Sequence, residues 1–266
     1  MLIIGESING TIPAVGTAIL EHDEKFLSEL AKEQINQGAQ MLDINAGVGG
    51  GNEIEDLPWL VSLIQKTVSF PLMLDSNNPE ALKAGLGAYN HREPPIVNSI
   101  SGEKKKIDGI LPTISGKNCR IVALCMDDNG IPTSIEKRVK VARQLYPILK
   151  EAGLNLPNIY FDPLVLGLGL NWEGAMITLK TIEVLKREFP ESHIICGLSN
   201  ISVELPLRKL INRNFLPMAA YAGLDTFLID VRDKALMSTL IASMALMGKD
   251  PDCSRYLKSY RMKKLI

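Results

Sequence analysis

The chain is short of cysteine, histidine and aromatic residues, and each shortage narrows what it can be. It has four cysteines (Cys119, Cys125, Cys196 and Cys253), and no two of them form a C-x-x-C pair. That spacing gives neither a disulfide framework nor a zinc-binding pair, and three of the thiols sit in or beside apolar runs, as buried reduced cysteines do. Only three histidines are present, so a histidine-based metal centre has little to work with. Charge is balanced at −1, with 29 basic and 30 acidic side chains, and no basic stripe exists to follow a phosphate backbone. The locally basic stretch Arg255 to Lys264 reads as a solvated helix. No apolar run reaches the roughly 20 residues of a membrane span. Met1 to Glu6 has no basic lead and too short an apolar run for a signal peptide. The expectation is a soluble, cytoplasmic protein with no nucleic-acid or membrane partner.

What is present is an alternating pattern. Short apolar runs predict strands at 2–6, 41–45, 71–75, 95–98, 120–126, 159–162, 193–198 and 226–230. Their apolar residues are mostly continuous, as in parallel strands covered on both faces. Helical patterns fill the gaps, near 23–37, 54–67, 79–87, 103–117, 134–152, 172–188, 205–221 and 233–247. Asn78-Pro79 supplies an N-cap with proline at the first helical position, and Thr133 with Glu136 has capping-box spacing. Gly38, Gly153, Gly223 and Gly248 close helices. Eight β-α pairs over 266 residues predict a single (β/α)8 TIM barrel occupying residues 1–266 as one domain. A doubly wound open sheet is the alternative, but the strand count and the lack of an early G-x-G-x-x-G oppose it.

In such a barrel the active site forms at the C-terminal strand ends. Those ends read Glu6, Asp43 and Asn45, Asp75, Asn98, Asp127, Asp162, Asn200 and Asp230. Isolated Asp and Asn residues there often cap a helix or form a turn. Asp75 has no need to do so, because Asn78 already caps the next helix. Asp162 and Asn98 stand too far ahead of theirs. Asp230 is close enough to Asp233 for a turn role to stay open. A mouth lined by carboxylates and amides repels anions. Oxygen ligands would suit magnesium, but the acids come from separate strands with no D-x-D cluster, and no metal is expected. A neutral heterocycle rich in N–H donors fits better: one carboxylate accepts an exocyclic amine and a ring N–H together, and asparagines complement the rest. Gly47 to Gly51 lacks the Lys-Ser/Thr of a phosphate loop and reads as a loop at the mouth. His193 lies at the start of its strand, the wrong end for the site.

The blocks MLIIGESING, MLDINAG, LMLDSNNPEAL, VNSIS, YFDPL and GLSNIS, followed by LINRNFL, resemble the methyltetrahydrofolate–corrinoid protein methyltransferases, in order and at comparable spacing from residue 1 to about 245. That family is one of a wider pterin-binding group that includes dihydropteroate synthase. The resemblance implies a homodimeric barrel that moves a methyl group between N5 of tetrahydrofolate and the cobalt of cobalamin, the corrinoid being carried by a separate protein. It implies that Asp75, Asn98 and Asp162 hydrogen-bond the pterin, that Gly197 and Ser199 line the pocket, that Asn200 stands near N5, and that Arg208 contacts the folate. Glu6, Asn9, Asp43 and Asn45 match the first two blocks. Val203, Glu204-Leu205-Pro206 and the triple glycine at 49–51 depart from the family pattern, which leaves the partner's identity open. Dihydropteroate synthase is an alternative, but no basic residue follows Asp162-Pro163 to hold a pyrophosphate, and that enzyme's C-terminal Lys-x-Arg-x-His pattern is missing. A folate-binding subunit without turnover is a further alternative; it could do without Asn200.

Overall fold

The computed structural model describes all 266 residues. Eight parallel strands close a barrel in sequence order. They are β1 (Leu2–Asn9), β2 (Met41–Asn45), β3 (Leu72–Asp75), β4 (Ile96–Ser101), β5 (Arg120–Leu124), β6 (Ile159–Asp162), β7 (His193–Gly197) and β8 (Thr226–Ile229). Around them lie α1 (Pro13–Leu20), α2 (Glu24–Gln37), α3 (Glu53–Thr67), α4 (Pro79–Ala88), α5 (Lys104–Ile114), α6 (Ile135–Glu151), α7 (Gly174–Glu188), α8 (Arg208–Ala222), α9 (Lys234–Leu246) and α10 (Ser254–Arg261). The barrel is the expected (β/α)8 fold. No helix is long and apolar enough to cross a membrane.

The core has two parts. A large outer cluster joins the outward faces of the strands to the helices, and a small inner cluster fills the barrel. The inner cluster is Ile4, Met41, Met73, Ile96, Val122, Tyr160 and Ile195. Successive strand residues alternate faces, so the residue two positions on points into the barrel again. Those residues are Glu6, Asp43, Asp75, Asn98, Leu124, Asp162 and Gly197. A plug of apolar side chains therefore carries a mostly polar layer directly above it, at the C-terminal end.

Several element bounds differ from expectation. β1 runs three residues past Glu6, to Asn9, because a register shift between Gly5 and Ile8 lets it continue beside β2. Ser7 N–H, turned out of the ladder there, donates to Gln34 Oε1 of α2 at 3.0 Å. β4 continues to Ser101, so Asn98 lies inside a strand. β5 stops at Leu124, and Asp127 instead accepts from Asn129 N–H in a turn. Helix α1 had no counterpart in the sequence reading; its Val15, Ala18 and Ile19 are buried. Ser134, not Thr133, caps α6, accepting from Lys137 N–H at 3.4 Å. Asn78 caps α4 as expected.

Candidate active site at the barrel mouth

Strand register brings the polar residues level with one another. Asn9 pairs with Asn45, Asn45 with Asp75, and Asp75 with Asn98. Across the barrel, Asp162 pairs with Leu124. Asn45 Nδ2 donates to Asp75 Oδ2 at 2.9 Å, while its Oδ1 accepts from Gly47 N–H at 2.9 Å. Asn45 therefore orients Asp75 and anchors the glycine loop at once. Asp162 Oδ1 accepts from Leu164 N–H at 2.7 Å. Asp43 is buried at 2% exposure, and its Oδ1 has no partner. Asn9 accepts from both the N–H and the hydroxyl of Thr11, so it forms a turn.

Four carboxyl groups in one low-dielectric mouth cannot all ionise readily. Burial pushes Glu6 up to about 7, with help from Asp230 and against the pull of Arg208. Burial also pushes Asp162 up to about 7, opposed by the Leu164 N–H and by Arg138. Asp43 is raised well above its ordinary range by burial and by Asp75 and Glu6. Asp75 is raised by burial, with the Asn45 amide working against it. The sequence offered no Lys or His acid here; the structure supplies carboxyls that titrate near neutrality instead. These acceptors have few internal donors, and a ligand rich in N–H groups would supply what they lack.

The opposite wall is the turn after β7. Leu198–Ser202 forms a short 3-10 helix that holds Ser199 and Asn200. Asn200 is exposed and caps no helix; the next helix, α8, begins only after Leu207. Gly197 makes room for it, since a Cβ there would stand 3.0 Å from Asn200 Nδ2. Arg208 folds back onto this turn, its Nη2 donating to Ser199 O at 2.9 Å and its Nε to Ser202 Oγ at 3.1 Å. A cavity of about 240 Å³ opens beside it, lined by Glu6, Ser199, Arg208, Lys209, Asn212 and Asp230 among others. Asp75, Asn98 and Asp162 lie outside this cavity, in the polar layer of the barrel.

Asp230 and His193 take different places. Asp230 accepts from Arg232 N–H and Nε in a turn. His193 stacks on Tyr160 and faces Asp225 at 3.4 Å at the far end of the barrel. One group the sequence reading passed over is Arg138 on α6, which reaches the loop behind Asp162. Its signal was a charge on an otherwise apolar helix stripe.

Comparison with known proteins identifies the family of the chain. The model of the pterin binding enzyme family matches residues 16–230. The chain belongs to the pterin-binding enzymes. Among them it groups with the methyltransferases that act between folate and corrinoid: it is 37% identical, over all of its length and 98% of the relative's, to a methylcorrinoid:tetrahydrofolate methyltransferase of Eubacterium limosum. It is also 27% identical over 242 residues to the methionine synthase of Mycobacterium tuberculosis, matching 86% of this chain but 20% of that much longer one. The fold is shared with dihydropteroate synthases. A Clostridium difficile structure determined with pteroic acid superposes at TM-score 0.72 over 92% of this chain and 96% of that one, at 16% identity. A Yersinia pestis structure with a pterin–sulfa conjugate superposes at 0.67, over 93% and 94%, also at 16% identity.

Proposed function

We propose that this protein transfers a methyl group between N5 of tetrahydrofolate and the cobalt of a corrinoid held by a separate protein. The observation that carries this reading is the layer of Asp75, Asn98 and Asp162 on the barrel floor, acceptor-rich and short of donors, in a chain that aligns end to end with a methylcorrinoid:tetrahydrofolate methyltransferase. Asp75 accepts the exocyclic amine and adjacent ring N–H of the pterin, with Asn45 holding it in place. Asn98 and Asp162 complete the edge. Ser199, Gly197 and Arg208 form the facing wall, with Glu6 and Asp43 beneath. The relative's name gives methyl-corrinoid as donor and tetrahydrofolate as acceptor, and the same direction is proposed here.

In that direction the N5 lone pair attacks the methyl carbon, the cobalt–carbon bond breaks, and cobalt(I) leaves with the electron pair. N5 then sheds its proton to solvent. In reverse, N5 must gain positive character before cobalt(I) can displace it. Asn200 serves either direction, because a carboxamide accepts through Oδ1 and donates through Nδ2. Its contact with N5 strengthens as charge develops, which is selective stabilisation of the transition state without a covalent intermediate. No dihydropteroate synthase reading is needed, since likeness to those structures at 16% identity is a likeness of fold.

Homodimer formation belongs to the same reading, with an expected sedimentation mass of twice 29.2 kDa. So does a cytoplasmic location, which the free, buried thiols of Cys119, Cys125 and Cys196 suit. The deciding experiment is anaerobic: purified protein, methyltetrahydrofolate and cobalamin reduced to cobalt(I), followed by the loss of cobalt(I) absorbance. Protein-dependent formation of methylcobalamin is expected. No turnover together with no binding of tetrahydrofolate would overturn the proposal; binding without turnover would leave a folate-binding subunit.

A further inference from the structure

Helix α6 packs Val139, Ala142, Leu145 and Leu149 toward the barrel. One residue on that buried face is charged. Arg138 is 0% exposed, and a guanidinium is rarely buried unless its donors are used. Its Nη1 donates to Pro163 O at 2.8 Å and Leu164 O at 2.6 Å, and its Nε donates to Pro132 O at 2.8 Å. It takes part in none of the protein's ion pairs. All three acceptors are backbone carbonyls, and they lie on two mouth loops: Pro132 between β5 and α6, Pro163 and Leu164 immediately after Asp162.

The loop after Asp162 needs such a hold. Leu164 has φ of +64°, a left-handed conformation that a Leu side chain disfavours. It is held on one side by its N–H on Asp162 Oδ1 and on the other by its carbonyl on Arg138. We propose that Arg138 is the positioning residue of Asp162: from the outer helix it fixes the Asp162–Pro163–Leu164 turn, keeping the Leu164 N–H on Oδ1 and leaving Oδ2 for a ligand. The ligand role of Asp162 rests on the function proposed above.

Charge works in the same sense. The titratable groups near enough to Asp162 for its charge to be felt are Cys125 beyond β5, Cys196 on the outer face of β7 and Arg138 on α6. Burial raises both thiols, so they stay neutral. Arg138 is the cation that opposes the burial of Asp162. Arg138 Nη2 meanwhile has no partner, and burial pulls the guanidinium below its ordinary value. A residue serving only to fill space on this face would be Leu or Met.

The test compares Arg138→Met and Arg138→Lys with wild type by two readouts. The first is the carboxyl 13C titration of Asp162 in the ligand-free protein, assigned by its loss in Asp162→Asn. The second is tetrahydrofolate affinity across the neutral to alkaline range. In Arg138→Met the Asp162 titration should rise by about one pH unit or more, and the acid limb of folate binding should follow it. In Arg138→Lys, charge remains but the fork is lost and the Leu164 N–H is held less firmly on Oδ1, so the titration should rise by less than in Arg138→Met while affinity falls about threefold or more at every pH. An unmoved titration in folded Arg138→Met, or wild-type affinity in folded Arg138→Lys, overturns the proposal; should the Met variant not fold, the Lys variant decides. A wild type that titrates as expected but binds no tetrahydrofolate would sink the folate reading and leave the Arg138–Asp162 coupling standing.

Discussion

Asn200 and Asp75 both face the mouth, yet their substitutions remove different things. Asn200 is uncommitted in the free protein, so Asn200→Ala takes away a contact that matters as charge develops at N5. Such a hydrogen bond contributes about 1.5–3 kcal/mol, and transfer should slow by roughly 10- to 150-fold. Single-turnover kinetics check this; a wild-type rate would remove Asn200 from the reaction. Asp75 acts earlier. Asp75→Asn keeps the shape but cannot accept two N–H groups, so folate affinity should fall about tenfold or more while the rate at saturation changes little. An unchanged dissociation constant would rule out Asp75 as the pterin acceptor.

At the scale of the element, the β1 irregularity is the feature on which the site depends. Past Glu6 the strand resumes its pairing with β2, and Gln34 of α2 takes the Ser7 N–H that the ladder no longer uses. Gln34 is buried at 0% exposure, and Gly5 leaves the space its carboxamide occupies, since a Cβ there would collide with Gln34 Oε1. Replacing Gln34 by Leu leaves a buried N–H unpaired, which should cost about 1–3 kcal/mol. Urea unfolding checks the value. A variant as stable as wild type would show that the Ser7 N–H finds another partner. Asp233 does a conventional task by comparison, capping α9 through Ala235 and Leu236 N–H while pairing with Arg213.

Across the whole molecule, the buried carboxyls set how stability follows pH. Glu6 and Asp162 titrate near 7 in the fold, against ordinary values of 4.5 and 3.8. Between those values and 7 the folded chain holds protons that the unfolded chain gives up, so stability falls as pH rises through that window and levels off above it. By the linkage rule Glu6 accounts for about 3 kcal/mol and Asp162 for about 4 kcal/mol. Asp225, held down at about 2 by His193 and Lys186 despite its burial, works oppositely, and its contribution is lost as pH falls from 3.8 to about 2. The ligand-free protein should therefore melt higher at about pH 5 than at about pH 8, and tetrahydrofolate binding near pH 6.5 should release protons as its N–H groups let the carboxyls ionise. Calorimetry in buffers of different ionisation enthalpy measures that release. A free protein with equal melting temperatures at both pH values would contradict the raised carboxyls.

The apolar runs determined eight strands alternating with helices, because continuous hydrophobic segments must be covered on both faces, and the count of eight favoured the barrel over an open doubly wound sheet. Local chemistry also determined the α4 cap at Asn78-Pro79 and put Asp75 and Asp162 at strand ends. Helix α1 was hidden because its eight residues follow a turn and show no separate amphipathic period. Glu6 and Asn98 were legible as polar strand residues but not as interior positions, since a register shift and a longer strand are set by neighbouring strands. Tertiary structure alone decided that Asn45 holds Asp75, that Arg208 grips the turn carrying Asn200, and that Arg138 reaches through from α6 to the loop after Asp162. Those contacts join residues between 9 and 30 positions apart. Sequence periodicity shows which face each residue takes; only closing the barrel brings those faces together.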